Sequence, residues 1–333
     1  LSARQLLTET DLPITQIALA SGFASLPRFN DAFRSAYRMA PRDLRKGRRE
    51  AREPGDVLTL RLGYRPPYDF AAMLDFLRGR ALPGVEVVDE HSYARVIGPI
   101  GRPGWLRVSA WRDDRHAGEH ALKLELHGPA SSQLLEIVQR LRRMFDLDAD
   151  PQAIADTLSN DARFAPLLAQ RPGLRLPSGW EGFEIAVRAI IGQQVSVAAA
   201  RTLATRLAQK YGQALPQPFG AGLTHLFPTP DALVDADLES IGLIRSRAQT
   251  VRGVAQALLE GRVDFRTERT LEDFVSRWVA LPGIGPWTAQ YIALRALGHP
   301  DAFPVQDLVL QKALPAGATR STPKAPAARA DAC

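Results

Sequence analysis

Two glycines and one carboxylate stand out as residues whose types and spacing could do chemistry. In Leu281-Pro-Gly-Ile-Gly-Pro-Trp-Thr-Ala289, Gly283 and Gly285 flank Ile284 in a short turn, and Asp307 follows at a fixed offset. Glycine lets a backbone turn sharply and leaves its N–H groups unshielded. At the start of a helix such groups form a site for an anion, a DNA phosphate being one. Two amphipathic helices must hold the turn: Phe274, Val275, Trp278 and Val279 stripe the first, and Ala289, Ile292, Ala293 and Leu297 the second. A plainer reading stays open, in which the glycines close an ordinary helical hairpin and Asp307 caps a helix running to Leu314.

The hairpin followed by this carboxylate resembles the helix-hairpin-helix DNA glycosylases. Within that superfamily the run Phe303-Pro-Val-Gln-Asp-Leu-Val-Leu-Gln-Lys312 is most similar to the AlkA-type branch, the 3-methyladenine DNA glycosylases II. Pro66-Pro-Tyr-Asp69, Arg171-Pro-Gly-Leu-Arg-Leu-Pro177 and Arg188-Ala-Ile-Ile-Gly-Gln-Gln-Val-Ser196 match the same family in order, so the resemblance covers residues 57–314.

The resemblance implies a monofunctional enzyme that flips an alkylated purine such as 3-methyladenine or 7-methylguanine out of double-stranded DNA and hydrolyses its N-glycosidic bond, without a cofactor. Asp307 becomes the catalytic carboxylate, stabilising positive charge on the sugar and orienting or deprotonating water. Asp301, in a His-Pro-Asp loop outside the matched run, is its nearest competitor. Phe76, Trp287 and Tyr291 become walls of an aromatic pocket for a cationic base, although each taken singly reads as a core residue. Leu308 stands where the family can present a tyrosine. Trp287 also stands where glycosylases that cut the backbone carry a Schiff-base lysine. Gln193, Gln194, Gly283, Gly285 and Thr288 become the DNA-backbone and wedge set. Gln194 would enter the gap left by the flipped base; the alternative is a helix break with solvent-facing amides. The hairpin carbonyls could also hold a monovalent cation against a phosphate.

Composition agrees without deciding. The 333 residues carry 42 Lys and Arg against 36 Asp and Glu, a net charge of +6, which is compatible with nucleic acid. The single cysteine, Cys333, leaves no internal disulfide, cysteine-built zinc site or iron–sulfur cluster. No apolar run approaches a membrane span and no signal-peptide pattern opens the chain, so a cytoplasmic, membrane-free protein is expected. No metal-ligand cluster stands out, which leaves a metal-dependent endonuclease without support.

The expected architecture is multidomain and mainly α. Residues 1–50 read as a partial helix-turn-helix: a helix from Ile14 stopped by Gly22, then one starting near Ser25 with Phe29, Ala32, Phe33 and Ala36 on its apolar face. Pro27 fits only the first turn of that helix. Arg28, Asn30, Asp31 and Arg34 would be exposed, and Arg28, Asn30 and Arg34 are the candidate DNA contacts. Gly22-Phe-Ala-Ser25, Arg28-Phe29 and Ala40-Pro41 resemble the second helix-turn-helix of AraC-type regulators, with Leu1–Thr10 as the tail of the helix that joins two such units. A small bundle that only packs on its neighbour is the alternative. The basic run Arg42 to Arg52 reads as a solvated linker or a phosphate contact.

Residues 57–145 read as an α+β domain with an antiparallel sheet, its strands at Val57–Leu62, Ala94–Ile97 and Ala121–Leu126 and its helices near 69–80 and 131–145. Residues 146–314 read as the all-α helix-hairpin-helix domain, with a helix at 181–191 breaking at Gly192-Gln-Gln194 and resuming through Val195, Ala198, Ala199, Leu203 and Leu207. Gly242 offers a second, weaker hairpin turn. After Leu314 the composition turns to Pro, Ala, Thr, Ser and Arg, which is read as C-terminal truncation of the domain followed by a disordered tail over 315–333. A competing functional reading is a transcriptional DNA-binding protein, acting on promoter DNA through residues 1–50 with the glycosylase part an inactive scaffold.

Overall fold

Strict alternation in Ala121-Leu-Lys-Leu-Glu-Leu126 sends every second side chain to one face, and the chain uses it to build a sheet. The computed structural model describes residues 3, 7, 13–21, 23, 25–37, 39–44, 57–98, 103–112, 120–128, 134–220, 222–266, 270–305 and 307. The chain divides into two units: residues 1–149, 173–175 and 214–226 form the first, and residues 150–172, 176–213 and 227–333 the second.

The first unit begins with helices α1 (Ile14–Ala20), α2 (Leu26–Tyr37) and α3 (Pro41–Leu44). Phe29 and Phe33 of α2 are buried, and the rings of Phe23, Phe29, Phe33 and Tyr37 form a ladder with centroids 5.3, 5.7 and 4.6 Å apart. Ala32 and Ala36, expected on this face, are exposed instead. From Phe29 to Tyr37 the aromatic ladder runs at four-residue spacing, and an alanine has too little surface to hold the helix to a different face. Gly22 and residues 45–56, which include most of the basic run, lie outside the described residues, as does most of Leu1–Thr10.

Five antiparallel strands follow, β1 (Leu58–Gly63), β2 (Glu86–Val88), β3 (Ser92–Ile97), β4 (Gly104–Ala110) and β5 (Ala121–His127), in the order β1-β5-β4-β3-β2. Leu60 pairs with Leu124, Leu62 with Leu122 and Leu106 with Leu126, and all six are buried. Helices α4 (Phe70–Arg78) and α5 (Leu134–Met144) bury Met73, Leu74 and Leu77, and Leu134, Ile137, Val138 and Leu141. Every residue of β3 is buried because its other face is covered too. Ala94 and Val96 pack against Leu223, in a ribbon made by β6 (Ala214–Phe219) and β7 (Leu223–His225), and against Leu226 just after it. That ribbon lies inside the stretch expected to be helical and clusters with the first unit.

Two of the family-like segments are stitched together here. Gly173 adopts φ +80, and a Cβ on it would fall 2.6 Å from the Pro67 carbonyl carbon. Asp69 N–H donates to Gly173 O at 2.9 Å, and the buried Arg175 guanidinium donates to the carbonyls of Ala149, Arg65 and Pro67. The sheet also encloses a polar set. Tyr93 Oη donates to Glu86 Oε1 at 2.8 Å, Arg95 Nη1 donates to Tyr93 Oη at 3.2 Å, and Leu82 N–H donates to Glu86 Oε2 at 3.0 Å.

The second unit is helical: α6 (Pro151–Leu158), α7 (Ala165–Gln170), α8 (Gly182–Ile191), α9 (Val197–Tyr211), α10 (Pro230–Leu233), a 3-10 turn at Glu239–Ile241, α11 (Arg245–Leu259), α12 (Leu271–Val279), α13 (Pro286–Ile292) and a π-helical extension, Ala293–Leu297. Seven of the ten residues of α8 are buried, and it packs against α9, α11 and α13, as expected for a helix apolar on most sides. In α9 the buried positions are Ala204, Leu207 and Ala208. Ala198 and Ala199, expected inside, are exposed in its first turn, where Ser196 caps the helix by accepting from Ala199 N–H. Gly242 does end a turn, with φ +97. Among the described residues no helix is long and apolar enough to cross a membrane. Residues 308–333, and with them Leu308 and the expected tail, lie outside the description.

Candidate nucleic-acid interface and active site

The hairpin forms where the glycines lie. Thr270 caps α12 by accepting from Asp273 N–H, and Phe274 and Trp278 stack within the unit at 5.5 Å. Val279, expected in the same stripe, is 37% exposed. The two glycines do different work. Gly283 sits at φ +85, and a Cβ there would lie 2.0 Å from Thr250 Oγ1, so conformation and space both demand glycine. Gly285 has an ordinary extended backbone, φ −91 and ψ 171, and a Cβ on it would meet none of the described residues within 4 Å. Among the described residues, packing gives no reason for glycine at 285. Of the turn's N–H groups, that of Ile284 is spent on Leu281 O at 3.1 Å. Among the described residues, those of Gly283 and Gly285 have no acceptor. Pro286 opens α13 at a position where no N–H is needed.

The break after α8 lies beside this turn. Gln194 is exposed and left-handed, φ +55, a conformation uncommon for a residue with a side chain. Gln193 points the other way: its Nε2 donates to Gly283 O and to Thr288 Oγ1, both at 3.1 Å. Thr288 is buried on α13, and Arg247 of α11 donates through Nη2 to Gln193 O. Of the residues proposed together from sequence, Gln193 therefore bonds both Gly283 and Thr288, and Gln194 and Gly285 are exposed beside it.

Along α13, Trp287 and Tyr291 stack with centroids 5.2 Å apart and planes 21° apart, both half-buried. The Arg295 guanidinium lies 5.7 Å from the Tyr291 centroid. Trp287 Nε1 is buried without an acceptor among the described residues. The chain then returns: Phe303 N–H donates to Gln290 Oε1 of α13 at 3.1 Å, and four residues later comes Asp307, half-buried, its N–H donating to Pro304 O at 2.9 Å. The competitor Asp301 has a side chain 83% exposed, with its carboxylate 4.0 Å from His299 Nδ1. Phe76 belongs to α4 of the first unit, where Arg80 covers its ring at 3.8 Å. On α2, Arg28 and Arg34 are exposed and Asn30 is half-buried. Among the described residues there is no group of three or more His, Cys, Asp or Glu that could hold a metal.

Sequence reasoning missed Gln290, Arg247 and Thr250. Each acts over a long sequence separation, through a backbone carbonyl, a backbone N–H or simple contact, and leaves no spacing to read.

Three family profiles match: a helix-turn-helix domain over residues 1–47, the AlkA N-terminal domain over 59–181, and the HhH-GPD superfamily base excision DNA repair protein over 187–327, a span that runs past Leu314. The chain is 35% identical over 317 residues to a probable bifunctional transcriptional activator/DNA repair enzyme AlkA of Mycobacterium tuberculosis, covering 94% of this chain but only 62% of that protein. A solved 3-methyladenine DNA-glycosylase from Archaeoglobus fulgidus shares the fold, with a TM-score of 0.65 at 23% identity over 76% of this chain and 84% of that one. An 8-oxoguanine glycosylase/lyase of Clostridium acetobutylicum, solved with double-stranded DNA, shares it at a TM-score of 0.60 and 17% identity, over 83% and 89% of the two chains. DNA-3-methyladenine glycosylase 2 of Escherichia coli is 37% identical over 257 residues, 76% of this chain and 86% of that enzyme, and the chain accordingly belongs to the AlkA family of helix-hairpin-helix DNA glycosylases.

Proposed function

We infer that this chain is a monofunctional DNA glycosylase that releases alkylated purines such as 3-methyladenine and 7-methylguanine from double-stranded DNA. The observation that carries the reading is the arrangement along α13. Among the described residues, its N-terminal turn leaves the N–H groups of Gly283 and Gly285 without acceptors, its flank stacks Trp287 on Tyr291, and its Gln290 ties down the segment bearing Asp307.

In this reading the hairpin N–H groups bind a backbone phosphate. The damaged nucleotide rotates out of the stack, at a cost of about a few kcal/mol that a poorly stacking lesion lowers. Gln194 fills the gap. The cationic base lies against the Trp287 and Tyr291 faces, whose π electrons attract positive charge. The C1′–N bond then breaks, and the base departs with the bonding pair as a neutral purine. The Asp307 carboxylate stabilises the positive charge left on the sugar. Water oxygen bonds C1′, its proton passing to Asp307 or to solvent, which leaves an abasic site. A tryptophan at 287 offers no amine for a Schiff base, so backbone cleavage is not part of the reaction.

The test is to incubate the chain and Asp307→Asn with methylated duplex DNA and measure free bases. The parent should release 3-methyladenine, and Asp307→Asn should be slower by roughly 10²–10³-fold or more, the scale of losing one preorganised electrostatic partner. Duplex affinity should stay within about twofold. Full turnover by Asp307→Asn would end its catalytic assignment, and a folded parent that releases nothing would end the enzymatic reading.

The exposed Arg28 and Arg34 on α2, opposite the buried Phe29 and Phe33, support a second DNA contact, with Asn30 between them. Selection from randomised duplexes should return a promoter-like consensus that Arg28→Ala and Arg34→Ala erase. Recovery of no enriched sequence would remove this reading.

A further inference from the structure

Three segments meet at Gln193. The turn after α8 contributes Gln193 itself, the hairpin contributes Gly283 and Thr288, and α11 contributes Arg247. Gly283 O can only accept, which fixes which end of the Gln193 amide faces the hairpin. Both hydrogens of Nε2 are then committed, one to Gly283 O and one to Thr288 Oγ1. What remains on that side chain is the acceptor Oε1, which a phosphate would repel. Gln193 is thus poorly suited to the DNA-backbone contact that its place in the sequence suggested. Its main chain is fastened as well, since Arg247 donates to its carbonyl. The same helix α11 presses Thr250 against Gly283 closely enough to exclude a Cβ.

The next residue is Gln194, exposed and held at φ +55. A left-handed conformation at a residue with a side chain persists only where its surroundings over-determine it. Here the surroundings are Gln193, anchored at both its amide and its carbonyl.

We propose that Gln193 is a positioning residue, a strap that braces the wedge at Gln194 against the hairpin so that opening the duplex does not push the wedge back. The proposal rests on the glycosylase reading above, and it separates two jobs that adjacent glutamines would otherwise share. Gln194 meets DNA, whereas Gln193 meets only protein.

The experiment compares the full chain with Gln193→Met, which keeps the length of the side chain and lacks its donors. One substrate carries a single 7-methylguanine paired with cytosine. The other carries the same lesion opposite a tetrahydrofuran abasic analogue, where stacking is already loosened. A neighbouring 2-aminopurine reports opening, and free 7-methylguanine reports chemistry. Gln193→Met should open and cleave the paired substrate about tenfold more slowly, as expected for two neutral hydrogen bonds lost from a strained state. It should remain within about twofold of the parent on the loosened substrate and in affinity for undamaged duplex. Equal slowing on both substrates would show a merely structural role and overturn the proposal. So would unchanged opening of the paired duplex, and so would weakened binding to undamaged DNA, which would mark a direct contact. Should Gln193→Met fail to fold, Thr288→Val removes one of the two bonds and should show the same substrate selectivity at smaller amplitude. A parent that opens DNA without releasing base would defeat the glycosylase reading, while the fluorescence signal would still decide the strap. A parent that does neither defeats both.

Discussion

In the five-stranded sheet, Glu86, Tyr93 and Arg95 are enclosed to 6%, 0% and 2% exposure and answer one another. At the junction in the helical unit, Gln193 and Thr288 also answer one another, yet the set stops at the surface with Gln194 left-handed and exposed and Gly285 under open space. The sheet keeps these polar groups buried, where they contribute to the fold. The junction leaves its last members unanswered, so something outside the chain can complete them. Enclosed polarity holds a fold in one arrangement, and polarity that ends at a surface prepares a contact.

That contrast can be broken by substitution. The largest effect on folding should come from Glu86→Gln, which removes the carboxylate charge 3.7 Å from the buried Arg95 guanidinium. Unfolding in urea should show a loss of about 3–5 kcal/mol, with base release per folded molecule unchanged. A change in turnover at full stability would mean that the sheet network reaches the chemistry. Next comes Gly283→Ala, which meets both a positive φ and the Thr250 hydroxyl; it should cost about 1–3 kcal/mol and weaken DNA binding through loss of the turn. Gly285→Ala should be the smallest. Its Cβ has room and its backbone is ordinary, so stability should hold. Duplex affinity should fall by about 0.3–1 kcal/mol, the scale of a partial anion contact at a helix start. If Gly285→Ala instead unfolded the protein while binding per folded molecule held, the open space above it would have no role in recognition.

How much of this could be read in the residues depended on how local each feature is. The hairpin was legible because glycine at two positions and apolar stripes on either side are short-range signals. The break at Gly192 was legible for the same reason. The β6–β7 ribbon was not: Pro216 and Pro218 argue against a strand, and they are tolerated because β6 is largely exposed and pairs irregularly with β7. Arg95 and Glu86 gave no sign of being core residues, since charge normally marks the surface, and their pairing across β2 and β3 together with the Tyr93 hydrogen bonds accompanies their burial. Of the candidate site, the individual residues were nameable and two of their groupings formed. What could not be read was direction, above all that Gln193 turns inward while Gln194 turns out. That is decided by a carbonyl ninety residues away.

The hydrogen bond from Phe303 N–H to Gln290 makes α13 a gauge as well as a scaffold. From Gly285 to Gln290 the chain advances five residues, about 7.5 Å along the helix axis, between the turn offered to a phosphate and the latch that carries Asp307. Length and phase are locked together over that interval. Adding or removing one residue would swing the latch by about 100° around the axis. The number of residues along this stretch is therefore as constrained as the identity of the side chains that form the latch.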